Sequence, residues 1–427
     1  MGRVLLEESP VFAGVVAECD AALLPWTGVS VTELLAGRRV LVGVEEVQPA
    51  LFAMSLGLAA WWRSMGVEPS AVVGHSQGEV AAAVVAGVLS VEQGARIVAA
   101  RSRAVATRCG EGGMAVVGRS HEWVGERVAG TVLSVAAVNT ATSTVVSGDD
   151  DALDTLVAEL QAEGVFARRV QVDYASHSAH MDGLLPGLEE ELAWLEPAPG
   201  SVPLYSTVHG RRLDGREMDA AYWCANLREP VRFDRAADAA AGDGHVRWVE
   251  VSPHPVMAMA LDDVTQRHGG SSHGTAHRDH ADTGDLLASW TQGGLAQGDT
   301  WPWERVVPRA PLEASLPTYA FARERHWHAP PTGTAPDPTA WGIESLDHPW
   351  LTHVTPLASG DGLVLSGRID ASGAGQGWLR EHQVFGTVLL PGTALLDMVL
   401  TAAERVGAAG IDTLTLSTPL VLPDHGS

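Results

Sequence analysis

The sequence predicts an α/β body carrying a small α+β insertion, and three patterns in its 427 residues point there. The apolar run Ala71-Val72-Val73 leads into Gly74-His75-Ser76-Gln77-Gly78 and then a helical stretch at 79–89, which is strand, tight glycine turn, helix. Between residues 112 and 173, short β-like runs surround two helical stretches, as in a split βαβ unit. After Leu184 helix and strand return, ending in an apolar strand at 246–251.

Taken in order, residues 47–66 have helical spacing and stop at Gly66, a C-cap signal. A second helix follows the glycine turn at 91–107. In the insertion the β-like runs are GGMAVVG, SVAAVN, STVVSG and ARRVQVDY, with helices at 122–129 and 151–163. The body therefore takes residues 1–111 and 179–265, and the insertion takes 112–178. Residues 266–345 read as a linker. Their first part, 266–300, is rich in Gly, His, Thr and Asp and reads as irregular, and HAPPTGTAPDP at 328–338 is proline-rich. From 346 to 427 short strands alternate around one helix at 393–406, a separate region.

Composition excludes several classes. Hydrophobic residues make up 46% and charged residues 19%, enough to bury a core. There are 52 acidic against 28 basic side chains, all of the latter arginine, for a net charge of -24, which argues against a general nucleic-acid binder. Cys19, Cys109 and Cys224 are odd in number and show no CxxC spacing, against a disulfide framework or a cysteine zinc site. His268, His273, His277 and His280 have no acidic or cysteine neighbour at ligand spacing, so they read as loop histidines and no metal is expected. The most apolar run, 80–91, is too short to span a bilayer, and no signal peptide is visible. A cytoplasmic protein that touches neither membrane nor nucleic acid is the expectation.

Ser76 in Gly-x-Ser-x-Gly is the candidate nucleophile. A serine on a sharp strand-to-helix turn exposes its hydroxyl, and the next backbone N–H, that of Gln77, can stabilise an oxyanion. The alternative is a plain structural turn. A serine nucleophile needs a base, and His177, closing the insertion in Tyr-Ala-Ser-His, is the best placed, although a loop histidine is the bland reading. No acid stands in a third-member position, so a backbone carbonyl would have to orient the imidazole. Arg101 lies on the 91–107 helix and could grip a carboxylate with its fork, although in an arginine-rich stretch a solvent-facing side chain is the bland reading that residue type alone favours.

Together these residues become recognisable. GHSQGE at 74–79, Arg101, VEEVQPALF at 44–52, YASHS at 174–178, NLREPVRF at 226–233 and EVSPHPV at 250–256 resemble the acyltransferase domain of a type I modular polyketide synthase. LPTYAFARERHW at 316–327 resembles the linker after such domains. The resemblance implies an α/β-hydrolase-like large subdomain with an inserted ferredoxin-like small subdomain. It implies ping-pong transfer of an acyl group from CoA, through an ester on Ser76, to the phosphopantetheine thiol of an acyl carrier protein. His177 would be base and acid, the backbone carbonyl of Arg232 would orient it, and Arg101 with Gln48 would hold the carboxylated extender. The chain itself would bind no cofactor, because the phosphopantetheine belongs to the carrier. Tyr174 and Ser176, within Tyr-Ala-Ser-His, resemble the methylmalonyl-selecting sequence rather than the malonyl-selecting His-Ala-Phe-His. Methylmalonyl-CoA is thus the expected donor, with malonyl- or ethylmalonyl-CoA the lesser possibilities.

The tail resembles the opening of a polyketide dehydratase domain. His382, Gly386 and Pro391 match HxxxGxxxxP, which implies a partial hotdog domain with His382 as base. The neighbouring partners would then be ketosynthase and dehydratase parts of one megasynthase. By the resemblance a GQGSQ-like segment and a buried strand should precede the residues matching Met1-Gly2-Arg3, and a second hotdog should follow Ser427, so an inactive truncated fragment is one alternative. An α/β serine hydrolase or thioesterase is the other.

Overall fold

The computed structural model describes residues 2–278, 281–295, 301–306, 338–370 and 376–422. They divide into two compact units, 1–312 and 313–427, each described by itself.

The first unit opens with α1 (Gly2–Glu8), α2 (Pro10–Thr27), α3 (Val31–Leu35) and α4 (Val44–Ser64). The Ser9 side chain caps α2 by accepting from the Phe12 N–H, Pro10 sits in its first turn, and left-handed Gly28 ends it. Next come β1 (Val72–Val73), α5 (Gly78–Val85) and α6 (Val91–Ala106). A capping box of Ser90 and Gln93 starts α6. A Cβ on Gly94 would stand 2.8 Å from Val84 and 2.9 Å from Phe52, so this glycine lets α4, α5 and α6 close on one another. That close packing carries Arg101 into the core.

The insertion contains β2 (Gly113–Val117), α7 (His121–Val128), β3 (Ser134–Thr140), β4 (Ser143–Gly148), α8 (Asp150–Ala162) and β5 (Ala167–Arg169). Val124, Leu153, Leu156 and Leu160 of its helices bury against Ala115, Val117 and Val146 of its sheet. The chain then forms α9 (Leu185–Leu192), β6 (Leu204–Ser206), β7 (Arg211–Leu213), α10 (Ala220–Arg228), β8 (Val231–Arg232), α11 (Phe233–Gly242) and β9 (Arg247–Glu250). Strand β8 pairs in parallel with β3, giving the order β5-β2-β4-β3-β8. The sheet of the insertion thus borrows a fifth strand from beyond the expected boundary at 178, which ties the two subdomains together.

In the body, β1 pairs in parallel with β6, and β7 adds antiparallel. After α12 (Ala258–His268), β10 (Ser271–Gly274) pairs in parallel with β9, and α13 (Thr283–Leu295) follows. This corrects the reading of 266–300 as irregular linker. Its polar composition hid Leu286 and Trp290, four residues apart on one helical face, which bury with Leu5, Leu58 and Trp62 in one cluster. Trp62 also donates from its indole to the Thr275 hydroxyl at 3.0 Å. A cavity of about 960 Å³, lined by Val72, Val73, Trp248 and Val249 among others, lies between the β1–β6 and β9–β10 pairs. The linker motif at 316–327 and His280 lie outside the described residues.

In the second unit β11 (Glu344–Ser345), β12 (His353–Pro356) and β13 (Leu363–Ser366) form an antiparallel sheet. A hairpin of β14 (Gln383–Val384) and β15 (Thr387–Val388) precedes α14 (Gly392–Arg405). Phe385 and Gly386, at φ 49 and 78, make its two-residue turn with both residues left-handed. Trp350, Leu379, Leu390, Ala394 and Leu422 form a small core. These strands and helix fit the expected partial hotdog domain.

Candidate active site

The site begins with the glycine turn. A Cβ on Gly74 would stand 2.3 Å from the backbone of Glu79, so only glycine lets the strand turn this sharply into α5. Ser76 sits at φ 53, a left-handed conformation that costs a non-glycine residue energy and lifts its hydroxyl off the turn. The Gln77 N–H, ahead of the first turn of α5, donates to no carbonyl among the described residues and is free to meet a developing oxyanion.

His177 is brought to Ser76 across the junction of the two subdomains. It is buried, lies at φ 59, and its Nε2 is 2.9 Å from Ser76 Oγ. Its Nδ1 donates to the carbonyl of Glu229 at 2.8 Å, leaving Nε2 free to accept the serine proton. The orienting carbonyl is therefore that of Glu229 and not that of Arg232, which corrects the position by three residues. The physical reason is Pro230. A residue before proline is held extended, so Glu229 (φ -79, ψ 156) ends α10 and swings its carbonyl toward the imidazole. Arg232 instead donates its N–H to the Thr207 carbonyl at 2.6 Å and pairs its guanidinium with Asp234. Burial, reinforced by the Arg101 cation, pushes the His177 imidazole down to about 3, so it stands neutral and ready as a base.

Arg101 is buried, and its Nη2 donates to Ser76 Oγ at 3.2 Å. Its Nη1 donates to Asn226 Oδ1 at 2.5 Å, while its buried Nε has no partner. Burial lowers the guanidinium to about 10, so it stays cationic at neutral pH. The side-on edge of the fork, Nε with Nη2, is thus available to a carboxylate beside the nucleophile. Tyr174 joins this cluster. Burial raises its phenol, and a hydrogen bond from Gln48 and the Arg101 charge oppose the rise. Gln48 and Ser176 are both buried.

Three polar residues around this group were not singled out from sequence. Asn226 and Glu79 lie beneath Arg101 and Ser76 and are joined by a 2.7 Å hydrogen bond. Asn139 accepts from His75 Nε2 at 2.9 Å. The register of β3 against β4 slips at Asn139, a bulge that leaves this residue unpaired and re-aims its side chain. The bulge has no signature in the sequence, whereas the pair Glu229-Pro230 was a usable signal.

In the second unit His382 Nδ1 donates to the Leu389 carbonyl at 3.0 Å, which leaves its exposed Nε2 as the basic nitrogen. Among the described residues no helix is long and apolar enough to cross a membrane.

Comparison with known proteins agrees in both units. The family described as acyl transferase domain matches residues 1–299, and polyketide synthase dehydratase domain matches 348–427. Polyketide synthase GfsB of Streptomyces halstedii is 45% identical over 99% of this chain and 8% of its own length. The pikromycin polyketide synthase component PikAII of Streptomyces venezuelae is 42% identical over 100% of this chain and 11% of its own. The chain thus spans about a tenth of the length of the curated relatives it matches. Among solved structures, the acyltransferase domain from module 8 of the salinomycin polyketide synthase superposes with a TM-score of 0.69 at 40% identity, covering 72% of this chain and 74% of that one. The loading acyltransferase from the avermectin modular polyketide synthase gives 0.66 at 40% identity, covering 68% of this chain and 94% of that one.

Proposed function

The chain belongs to the modular polyketide synthases, as an acyl transferase domain followed by the dehydratase N-terminal region, and from that premise we propose that it loads an extender unit, methylmalonyl, from CoA onto an acyl carrier protein. The observation that carries the reading is the meeting of three groups at one oxygen: Ser76 Oγ lies 2.9 Å from His177 Nε2 and 3.2 Å from Arg101 Nη2.

In the first half His177 Nε2 takes the Ser76 proton as Oγ bonds to the thioester carbon. The Gln77 N–H faces the oxyanion, the C–S bond breaks, and the proton passes from His177 to the leaving CoA sulfur. In the second half His177 takes the proton of the carrier's phosphopantetheine thiol. The thiolate attacks the ester carbon, and Ser76 Oγ departs with that proton. No carboxylate is needed beside the ring: the Glu229 carbonyl holds the neutral imidazole in the tautomer that leaves Nε2 open, and it goes on accepting from Nδ1–H when the ring is protonated. Arg101 holds the extender's carboxylate through Nε and Nη2.

Ser176, where malonyl-selecting relatives place phenylalanine, leaves room for the α-methyl branch. One methyl group supplies only about 1–3 kcal/mol of discrimination, so malonyl-CoA is the expected second donor. The partners in this reading are the carrier protein and the neighbouring ketosynthase and dehydratase parts. In the second unit His382 is assigned as the base toward a β-hydroxyacyl thioester.

The test is to mix the protein with methylmalonyl-CoA and follow CoA release, with acylation of Ser76 read by mass spectrometry. A burst of CoA equal to enzyme, then turnover only with carrier protein, is expected. Steady carrier-independent release, or hydrolysis of simple esters, would instead mark a serine hydrolase.

A further inference from the structure

The transfer reading uses Ser76, His177 and Arg101 and leaves a buried acid without a role. Glu79 is fully buried, one turn of helix beyond the nucleophile. Its Oε1 accepts from the Thr207 N–H at 2.5 Å, and its Oε2 from Tyr222 Oη and Asn226 Nδ2, each at 2.7 Å. Ser206 Oγ lies 2.7 Å from Tyr222 Oη, so the phenol is itself held in place. An apolar residue of similar size would fill this space without the cost of burying a carboxylate.

The arrangement fixes the orientation of one amide. Asn226 meets two acceptors on the same side, Glu79 Oε2 at 2.7 Å and the Ser76 carbonyl at 3.2 Å. Both demand its Nδ2, so Oδ1 must point the other way, to Arg101 Nη1. With Nη1 claimed by Asn226, the guanidinium can turn only its Nε–Nη2 edge toward the acyl group. Burial raises the Glu79 carboxyl, the hydrogen bonds from Thr207, Tyr222 and Asn226 oppose that rise, and in its charged form Glu79 opposes the loss of the proton from Arg101, a buried cation with no carboxylate in direct contact.

We propose that Glu79 and Asn226 form a relay that orients Arg101, making Glu79 a positioning residue for the recognition of carboxylated acyl groups. The relay rests on the acyl-transfer reading. It does not touch the acyl group; it acts through Arg101.

The geometry dictates the informative variant. In Glu79→Gln the carbonyl of the new amide stays with Thr207, and its NH2 comes to face Asn226. Two NH2 groups cannot bond, so Asn226 turns over and presents a donor to Arg101. In the double variant Glu79→Gln/Asn226→Asp, the new carboxylate accepts from the new amide and from Arg101 at once, so the link to Arg101 is restored and only the donor to the Ser76 carbonyl is lost.

The experiment measures kcat/KM for Ser76 acylation by methylmalonyl-CoA and by propionyl-CoA, its uncharged counterpart. Glu79→Gln is expected to lower the methylmalonyl value about 10- to 100-fold through KM, and the propionyl value less than about threefold. The double variant is expected to return the ratio of the two donors to within about threefold of wild type. Parallel losses for both donors in Glu79→Gln would mean that Glu79 merely holds the fold, and would overturn the relay alone. If Glu79→Gln does not fold, the double variant decides: a collapsed donor ratio in it overturns the relay. A wild-type protein that takes neither donor overturns the acyl-transfer reading and the relay with it.

Discussion

The low proton affinity of His177 gives a sharp prediction about pH. An ordinary imidazole, near 6.5, would be only about 3% neutral at pH 5 and would lose most of its power as a base. With the imidazole at about 3, where burial and the neighbouring Arg101 cation hold it, it is still about 99% neutral at pH 5. Rapid-quench measurement of Ser76 acylation between pH 8 and pH 5 should therefore change less than about twofold on the acid side, where an ordinary histidine would give about a 30-fold fall. Stability should respond where catalysis does not. The unfolded chain binds a proton on His177 below about 6.5, and the folded chain only near 3. The contribution to stability is thus complete above pH 6.5 and is lost as pH falls from there toward 3, at about 1.4 kcal/mol per pH unit. Chemical denaturation at pH 7.5 and 5.0 should show about 2 kcal/mol lost through this residue, and His177→Gln should remove that share of the slope. An acylation profile with its acid limb near 6.5 would refute the argument, because the imidazole would then be neither dry nor close to a cation.

Three substitutions test the remaining contacts. Arg101→Ala should slow acylation by methylmalonyl-CoA about 10²- to 10³-fold, the loss of a buried charge pair, and acylation by propionyl-CoA less than about tenfold; equal losses would make Arg101 a structural residue. Pro230→Ala removes no polar group but frees Glu229 from its extended conformation, so kcat for acylation should fall about 3- to 10-fold while the melting temperature moves only a few degrees. Gly74→Ala drives a Cβ to 2.3 Å from the Glu79 backbone, and a sharp loss of soluble, cooperatively melting protein is expected. Normal melting of that variant would show that the turn can relax.

Much of the site was legible in the sequence because its chemistry is local. The strand, glycine turn and helix around Ser76 lie within twenty residues, and the steric need for Gly74 is a contact with a residue only five positions on. Helices α4, α6, α7, α8 and α14 fell within a few residues of their expected bounds, since each carries its own apolar spacing or cap. The segment at 266–300 misled for the opposite reason. Its average composition is polar, and the four-residue spacing of Leu286 and Trp290 that makes α13 a core helix is diluted by Gly, Thr and Asp.

The orienting carbonyl shows the limit of motif reasoning. NLREPVRF was the right segment, but motif position alone put the carbonyl at Arg232. The conformational restriction imposed by Pro230 puts it at Glu229.

What the sequence determined by itself was the serine on its tight elbow and the order of domains around it, which follow from residue type and short-range geometry; a histidine base and an arginine for a carboxylate were expectations carried by the family resemblance. Only the tertiary structure decided how distant residues share protons. Ser76 and His177 are 101 positions apart, and Arg101 and Asn226 are 125 apart. Whether an arginine faces solvent or the nucleophile depends on which helix face is buried by chain elsewhere, here by α4 and α5, with Asn226 of α10 accepting from the guanidinium. The direction of the Asn226 amide is a further step from sequence, since it is set by the sum of the donors and acceptors that packing gathers around it.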